Sequence, residues 1–518
     1  MAPTLCNRCG DAVVEERCDP RDELAELDAL LKRFILKRYD LKRKINRFYS
    51  PIIRLLPPDV MSTVFEFCLS DFTDYQPYPT RSEKLFTPLS LGAISSYWRG
   101  IAWSTPTLWS SLVVRDPSRY EPHIVTSMAK EWLDRSGRLP LSIRILSTLD
   151  NDNESVSALV DIINQYSNRW FDLHLILPYQ SYQLFHATNN QAPILKSIRL
   201  HSNTIAIASN LNFQLTCPRL ERAILLDFPI HGTNIQWDNL THLTFSSTSM
   251  FDFFLILRKT PRLVFCEVSG YYISRRFEGE GKEAIILTSL RSLHLEIYID
   301  ADKLLDNLNA PHLEEFSLPM HHYDLPTENI TSFLRRSACS LRSLSMSFTE
   351  YSERYMNLLQ SIPSLNTLSI QSIAIGTSAI AFPDDHDSRN IFRLVAKVLS
   401  SQSTSLRQGF LPNLKILEYT GELYYLPSGN YYEDLYPLPP VDNAVHGPLQ
   451  LLSFDFHSIT RVPKKIISYI SSLEERGVTV NVLSYSENIL QSSIDYYKCK
   501  EDFLCRDWTE NFDSTLFS

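Results

Sequence analysis

Glycine is scarce, with 14 residues in a chain of 518. So few glycines argue against Gly-rich phosphate loops as a recurring device. Long apolar runs are also missing. No stretch of about 18 apolar residues occurs, so no membrane-spanning helix is expected. The opening Met1-Ala2-Pro3-Thr4-Leu5-Cys6 lacks the charged-then-apolar pattern of a secretory signal. Cysteine is thin at nine residues, an odd number. Without a secretory signal, that predicts reduced thiols and a cytoplasmic or nuclear location. Triplets such as Asn239-Leu240-Thr241 then carry no glycosylation meaning. Positive charge is short too. The net charge of −9 argues against generic nucleic-acid binding, which favours a basic domain.

Catalytic signatures are the next absence. Neither His-Glu-x-x-His nor Gly-x-Ser-x-Gly occurs. Gly281-Lys282 is no P-loop: Arg276 stands where the first glycine is needed, and Glu283 follows the lysine. Cys6, Cys9 and Cys18 have the look of part of a zinc knuckle, one thiol short of the four ligands a structural zinc needs. Asp384, Asp385, His386 and Asp387 are consecutive, and adjacent loop residues do not by themselves converge on a metal. The His321-His322 pair follows a repeat strand without partners in sequence. No cofactor is expected, and the chain reads as a non-enzyme.

What is present begins with a helix. Residues 1–19 read as a flexible leader and 20–50 as an amphipathic, coiled-coil-like helix. Leu24, Leu31 and Ile45 fall at one heptad position, interrupted by Arg38. Leu27, Phe34, Leu41 and Phe48 fall at the other. Acidic residues come early and Lys32, Arg33, Lys37, Arg38, Lys42, Arg43, Lys44 and Arg47 come late, as the helix dipole prefers. Such a segment fits a solvated helix, a self-association helix over 20–48, a membrane-surface helix or a nuclear-localisation signal.

Residues 51–112 form the next unit. Pro57 and Pro58 suit the first turn of a helix, and Asp59 lies near its positive end. Val60, Val64, Phe65, Cys68 and Leu69 recur at helical spacing as one apolar stripe. A second helix is predicted from Leu89 to Ala102, with Ile94, Trp98 and Ile101 on one side. The insert from Asp71 to Thr87 has no evident role. This stretch resembles an F-box, whose pattern is Leu-Pro-x-Glu-Ile, an apolar helix, then a Val-Cys-x-x-Trp-type helix. Leu56, Pro57, Asp59 and Val60 match its first part, Phe65 and Leu69 its middle, and Ile94, Ser95 and Trp98 its end. Asp59 and Ser95 depart from the commoner Glu and Cys. The closing Trp103-Ser-Thr-Pro-Thr-Leu-Trp109 is similar to the extended F-box of large families in mushroom-type fungi (basidiomycetes). The resemblance implies a Skp1-like adaptor as partner, and a cullin through it. It implies Leu56, Pro57, Val60, Phe65, Leu69 and Trp98 as the adaptor interface or its support.

After helix–strand units over 113–190, a repeat becomes legible. The frame Leu-x-x-apolar-x-apolar starts at Leu195, Leu220, Leu240, Leu263, Leu290, Leu313, Leu341, Leu365, Leu414 and Leu449. Proline often stands two residues before that leucine, as Pro193, Pro218, Pro261, Pro311, Pro363 and Pro412. Helical pieces lie between frames, among them Met250–Lys259, Thr331–Arg336, Arg354–Ile362 and Ile391–Leu399. The fold class is therefore α/β: a short helical F-box followed by a leucine-rich-repeat-like solenoid over 191–484. Its parallel sheet would line the concave face and its helices the convex face. A compact α/β domain of βα units is the competing arrangement. The frame lacks a regular asparagine ladder. Inserts are expected near 372–410 and 421–447, a capping helix over Lys464–Arg476 stopped by Gly477, and an acidic tail over 485–518.

Strand alternation turns the residues between the apolar positions outward. His242, Thr244, Glu267, His294, Glu296, Glu315, Ser317, Ser345, Ser369 and Glu418 would then line a mixed, somewhat acidic surface suited to a protein substrate. The resemblance implies a substrate-recognition subunit of an SCF-type ubiquitin ligase. A non-catalytic scaffold without a ligase role is the alternative.

Overall fold

The computed structural model describes residues 20–49, 55–69, 87–147, 154–186, 191–202, 213–228, 230, 233–246, 250–270, 284–297, 301–319, 325–348, 353–372, 410–421, 449–456, 461–462, 464–475, 477–484 and 487–501. The leader thiols Cys6, Cys9 and Cys18 and residues 71–86 of the insert lie outside them. So do His321-His322, the 278–283 glycine segment and the acidic 384–387 segment. Most of the expected inserts near 372–410 and 421–447, and of the tail, lies outside as well. The chain divides into two compact units: Met1–Val113 with His123–Ile143, and Val114–Pro122 with Arg144–Ser518.

The first unit is helical. Its elements are α1 (Pro20–Tyr49), α2 (Pro58–Cys68), α3 (Pro88–Ile94), α4 (Ser96–Ser104) and α5 (Pro122–Arg135). Pro58 starts α2 where a missing N–H costs nothing, and Asp59 sits in its first turn. The predicted helix over Leu89–Ala102 is in fact two helices, broken at Ser95. Ser95 is extended, and its hydroxyl accepts a hydrogen bond from the Trp98 amide at 3.1 Å. A serine that caps a new helix competes with continuing the old one. Thr87 and Ser90 cap α3 reciprocally, each side chain accepting from the other's backbone N–H.

Aromatic packing holds this unit together. Met61, Phe65, Leu91, Ile101, Ala102, Leu108 and Trp109 are buried in one cluster. Trp103, Trp109 and Trp132 stack edge to face, with centroids 5.2 and 4.8 Å apart. The Arg135 guanidinium lies over both Trp103 and Trp109, at 4.9 and 4.8 Å. Trp109 donates its indole N–H to Ala102 O and Trp132 to Ser111 O. Residues 123–143 thus join this unit through Trp132 and Arg135 of α5. Gly92 permits the approach of α3 to α4, because a Cβ there would lie 2.1 Å from the Trp103 ring.

The second unit is mixed α/β and built on one sheet. Its strands in chain order are β1 (Ser111–Arg115), β2 (Leu141–Leu146), β3 (Trp170–Leu177), β4 (Ser197–Ser202), β5 (Phe213–Leu215), β6 (Arg222–Leu226), β7 (Thr233–Ile235), β8 (His242–Ser246), β9 (Phe265–Gly270), β10 (Ile285–Ile286), β11 (Ser292–Ile297), β12 (Leu308–Asn309), β13 (Glu315–Leu318), β14 (Ser343–Phe348), β15 (Thr367–Ser372), β16 (Ile416–Gly421), β17 (Leu451–Phe456), β18 (Thr479–Ser484) and β19 (Glu487–Asn488). Four of these, β5 with β7 and β10 with β12, make two separate parallel pairs. The other fifteen follow chain order across one sheet, and the C-terminal ends of β1 and β2 belong to this unit. From β3 to β18 neighbouring strands of this sheet pair in parallel; β19 closes the edge antiparallel.

The frame explains why. Leu195, Ile198 and Leu200 are buried, as are Leu240, Leu243 and Phe245, and Leu365, Leu368 and Ile370. Burial alternates along β4 and β6 as a half-buried sheet requires. Helices follow several strands: α6 (Glu154–Asn164), α7 (Met250–Lys259), α8 (Ala301–Asp306), α9 (Thr327–Ser337), α10 (Glu353–Gln360), α11 (Lys464–Glu474) and α12 (Leu490–Glu501). They pack on the leucine side, where Phe253 of α7 meets Phe245 at 6.1 Å and Phe333 of α9 meets Phe316 at 5.9 Å.

The recurring proline has a backbone reason. The N–H of most frame leucines closes a turn onto the carbonyl three residues before it: Leu220 onto Cys217, Leu313 onto Ala310, Leu365 onto Ile362, Leu414 onto Leu411. Pro218, Pro311, Pro363 and Pro412 occupy the second position of that turn, where a fixed φ helps and no N–H is needed. A polar ladder also exists, displaced from the expected position. Asn239 donates to Pro218 O at 2.7 Å, Asn413 to Pro363 O at 3.0 Å, and His312 Nδ1 bonds Thr288 O at 2.7 Å. Each sits just before its frame leucine and reaches the residue two before the preceding one. At the far end α11 stops with Gly477 at φ 86°, its N–H bonded to Glu474 O.

Cys217 and Cys266 are buried free thiols on the leucine side. Burial pushes Cys217 up to about 12 and raises Cys266 as well. Three outcomes are expected. Both thiols should resist iodoacetamide at neutral pH in the folded chain and react on unfolding in urea, read by mass spectrometry of tryptic peptides. Gly92→Ala should destabilise the helical unit by about 1–3 kcal/mol through overpacking against Trp103. Gly100→Ala, with nothing within 4 Å, should stabilise α4 by about 0.4–1 kcal/mol. Thermal unfolding followed by tryptophan fluorescence separates the two.

Candidate functional site

Two surfaces carry the candidate residues, one on each unit. On the helical unit, α2 presents two apolar faces rather than the single stripe expected. Met61 and Phe65 point inward and are fully buried; Phe65 packs on Trp98 with centroids 4.9 Å apart. Leu56, Leu69 and Trp98 are half-buried against the same cluster, and Pro57 is exposed. Phe65 therefore occupies a supporting position and offers no contact surface. Val60, Val64 and Phe67 follow one another at i, i+4 and i+7 on an adjacent side and are exposed. Phe67 is 85% accessible, and Leu55, before the start of the helix, is 76% accessible. The periodicity of α2 admits both faces, and only burial separates them. Phe67 was missed because Phe65, two residues away, accounts for the core.

On the second unit, backbone register sets the outward residues in rows across the sheet. One row runs His174, Arg199, Ile224, Thr244, Glu267, His294, Ser317, Ser345, Ser369, Glu418, Ser453, Asn481, each opposite the next on the adjacent strand. Seven of the expected residues thus fall in one line. His242 and Glu315 belong to the row two residues earlier, with Phe265 and Ser292 between them. Glu296 lies in the row two residues later, opposite Ser269.

Side chains link these rows. Thr244 donates to Glu267 Oε2 at 3.1 Å. Ser292 Oγ bonds His294 Nε2 at 2.9 Å and donates to Glu315 Oε2 at 3.0 Å. Phe265 sits between the imidazoles of His242 and His294, at 6.0 and 5.3 Å. Burial, then Arg222, lowers the pKa of His242. Further along, Ser345 and Ser369 are adjacent hydroxyls, and Glu418 follows them.

The low-numbered strands carry a cluster outside the expected set. His174 Nε2 and His201 Nδ1 are buried and have no hydrogen-bond partner among the described residues. Burial, with Arg199, Arg144 and His201 nearby, depresses His174 to about 3. Burial lowers His201 as well, opposed by Asp227, whose own pKa burial raises. The sheet face is thus cationic around Arg144 and Arg199 and carboxylate-bearing around Glu267, Glu296 and Glu315. Arg199 stands four residues after Leu195, as Thr244 stands after Leu240. The frame therefore contained the signal for it; His174 and Arg144 precede the first frame.

Among the described residues no three His, Cys, Asp or Glu side chains form a group able to hold a metal ion. No described helix is long and apolar enough to cross a membrane. The arrangement offers directional hydrogen bonds and charge along an edge-to-edge surface.

No family model matches the chain, and no curated protein matches it. Among solved structures, one described as the crystal structure of a TLR13–ssRNA13 complex aligns at 12% identity with a TM-score of 0.31. The alignment covers 68% of this chain and 46% of that one, so the chain spans about half its length.

The depressed imidazole gives a pH test. A His whose folded pKa lies below its unfolded value costs stability as pH falls from about 6.5 toward 3, because the unfolded state takes the proton first. His201 acts in the same direction and Asp227 in the opposite one. Urea denaturation between pH 7 and 4 should show stability falling on acidification, with a shallower fall in His174→Gln.

Proposed function

We propose that this chain is a non-catalytic substrate-recognition subunit of an SCF-type ubiquitin ligase, with an F-box-like unit followed by a leucine-rich-repeat-like solenoid. One observation carries the reading. The helical unit that holds Leu56, Pro57, Val60, Phe65, Leu69 and Trp98 leaves a second apolar face of α2 open to solvent. An exposed row of Val60, Val64 and Phe67 is what a constant apolar partner would cover. The Leu-Pro-x-x-Val pattern at its start and Trp98 at its end favour a Skp1-like adaptor, and through it a cullin. The solenoid reading is supported by the buried frame leucines and by the chain-order parallel sheet.

The second unit would then hold a protein substrate on the polar face of its sheet. His242, Thr244, Glu267, His294, Glu296, Glu315, Ser345 and Glu418 would share that role with Arg199 and His174. The mechanism is proximity. Binding adaptor and substrate together raises the effective concentration of a substrate lysine near a ubiquitin-loaded enzyme held elsewhere in the assembly. The chain itself contributes binding and orientation, with no cofactor. A scaffold without a ligase role is the second reading; the exposed α1 favours it only insofar as self-association is the chain's main task.

Capture on an immobilised Skp1-type adaptor tests the assignment. Wild type should be retained. Val60→Asp/Val64→Asp should lose retention, as should Leu56→Ala/Pro57→Ala, each by at least about ten-fold on removing the central apolar contacts. Circular dichroism of each variant checks that the fold persists. Equal retention of all three proteins, or no retention of wild type, refutes the adaptor assignment.

A further inference from the structure

The helix α1 is a single helix of 30 residues, about 45 Å long at the ordinary rise per residue. Its described side chains from Arg21 to Ile45 are all exposed. Leu24, Leu27, Leu31, Phe34, Leu41 and Ile45 form one seam with a period of 3.5 residues and are 49–62% accessible together with their neighbours Leu30 and Leu36. Leu30 and Ile35 flank that seam and widen it. A helix this apolar along one side gains most of its stability from packing that side, and nothing among the described residues covers it.

Charge decides what does. The first third of α1 carries Asp22, Glu23, Glu26 and Asp28 against Arg21, and the remainder carries Lys32, Arg33, Lys37, Arg38, Lys42, Arg43, Lys44 and Arg47 against Asp40, which pairs with Lys44 of its own helix. Against a second copy in parallel, the flanking positions would set Glu23 beside Asp28 and Lys37 beside Lys42. The seam would set Arg38 against its own copy. Every one of those contacts is repulsive. In the antiparallel arrangement, Leu27 layers against Ile45 of the second copy and Leu31 against Leu41. Asp28 then lies beside Lys42, twice by symmetry. Phe34 layers against Arg38, where a guanidinium can rest on the ring. The one like-charge contact left is Lys37 with its own copy. The acidic end of each helix meets the basic end of the other, and the two helix dipoles oppose.

We propose that α1 pairs antiparallel with α1 of a second copy of this chain, making the protein a two-fold dimer that presents two sheet surfaces. This is independent of the adaptor reading, since none of the residues named belongs to α2 or to the sheet.

Sedimentation equilibrium of the full chain tests it. Wild type should be a dimer at micromolar concentration. Asp28→Lys should weaken that dimer about ten-fold by replacing two attractive contacts with two repulsive ones. The exchange Asp28→Lys/Lys42→Asp should restore it. Asp28 is exposed, so neither variant disturbs a core, and far-ultraviolet circular dichroism should be unchanged. A parallel pair gives the opposite sign, because Asp28→Lys would relieve its contact with Glu23 and tighten the dimer. A monomeric wild type overturns the proposal, as does a dimer that Asp28→Lys leaves unchanged or strengthens. Loss of adaptor capture alone leaves it standing, and loss of the dimer alone leaves the adaptor reading standing.

Discussion

A frame leucine and the strand after it, with three leucine-like side chains on one side, cannot bury them against themselves. Everything in the second unit follows from that constraint. Each strand needs a neighbour on both edges for its backbone and a covered surface for its apolar row. Parallel pairing in strict chain order supplies the first, and helices or short second strands on the leucine side supply the second. Because the apolar residues must all turn to one side, the residues between them have no choice but the other. The row from His174 to Asn481 is thus a by-product of core formation, and its composition is free to vary. That freedom is what makes such a surface suitable for recognition.

The turns show how the constraint is met locally. A frame leucine whose N–H closes onto the carbonyl three residues back is held at the point where the chain enters its strand. Proline in that turn reduces the freedom of the unfolded chain without removing a needed donor. Asn239, His312 and Asn413 then tie successive turns together through side chains of different chemistry at one position. The ion pairs of Lys196 with Glu221 and of Glu314 with Arg291 and Arg342 run along the same edge. They are solvent-exposed and contribute little compared with the buried rows.

In the helical unit a small core is closed by aromatic packing. A few short helices depend on three tryptophans, Phe65 and a guanidinium stacked on two indoles to close a core. Gly92 is the position where that packing tolerates no side chain. The cluster uses one side of α2 and leaves an adjacent one open, so the apolar content of the helix exceeds what its own core consumes. The same excess appears in α1, where the described seam residues are exposed.

Much of this was legible from residues alone. The period of the leucines, the prolines before them, the start of α2 at Pro58 and the glycine that ends α11 each rest on local chemistry that sequence spacing records. So does the alternation that turns Thr244, Glu267 and His294 outward, since a strand's side chains can only alternate. Tertiary structure decided the rest because contacts between distant residues leave no periodic trace. Which side of α2 is core depends on Trp98. The break at Ser95 depends on a capping bond outweighing helix continuation. The crowding of His174 by Arg144 and Arg199 depends on strands separated by more than twenty residues lying side by side. Sequence by itself determined the rungs and the direction their side chains face; folding decided which apolar faces were consumed and which charges were forced together, because burial is a property of the assembled neighbours.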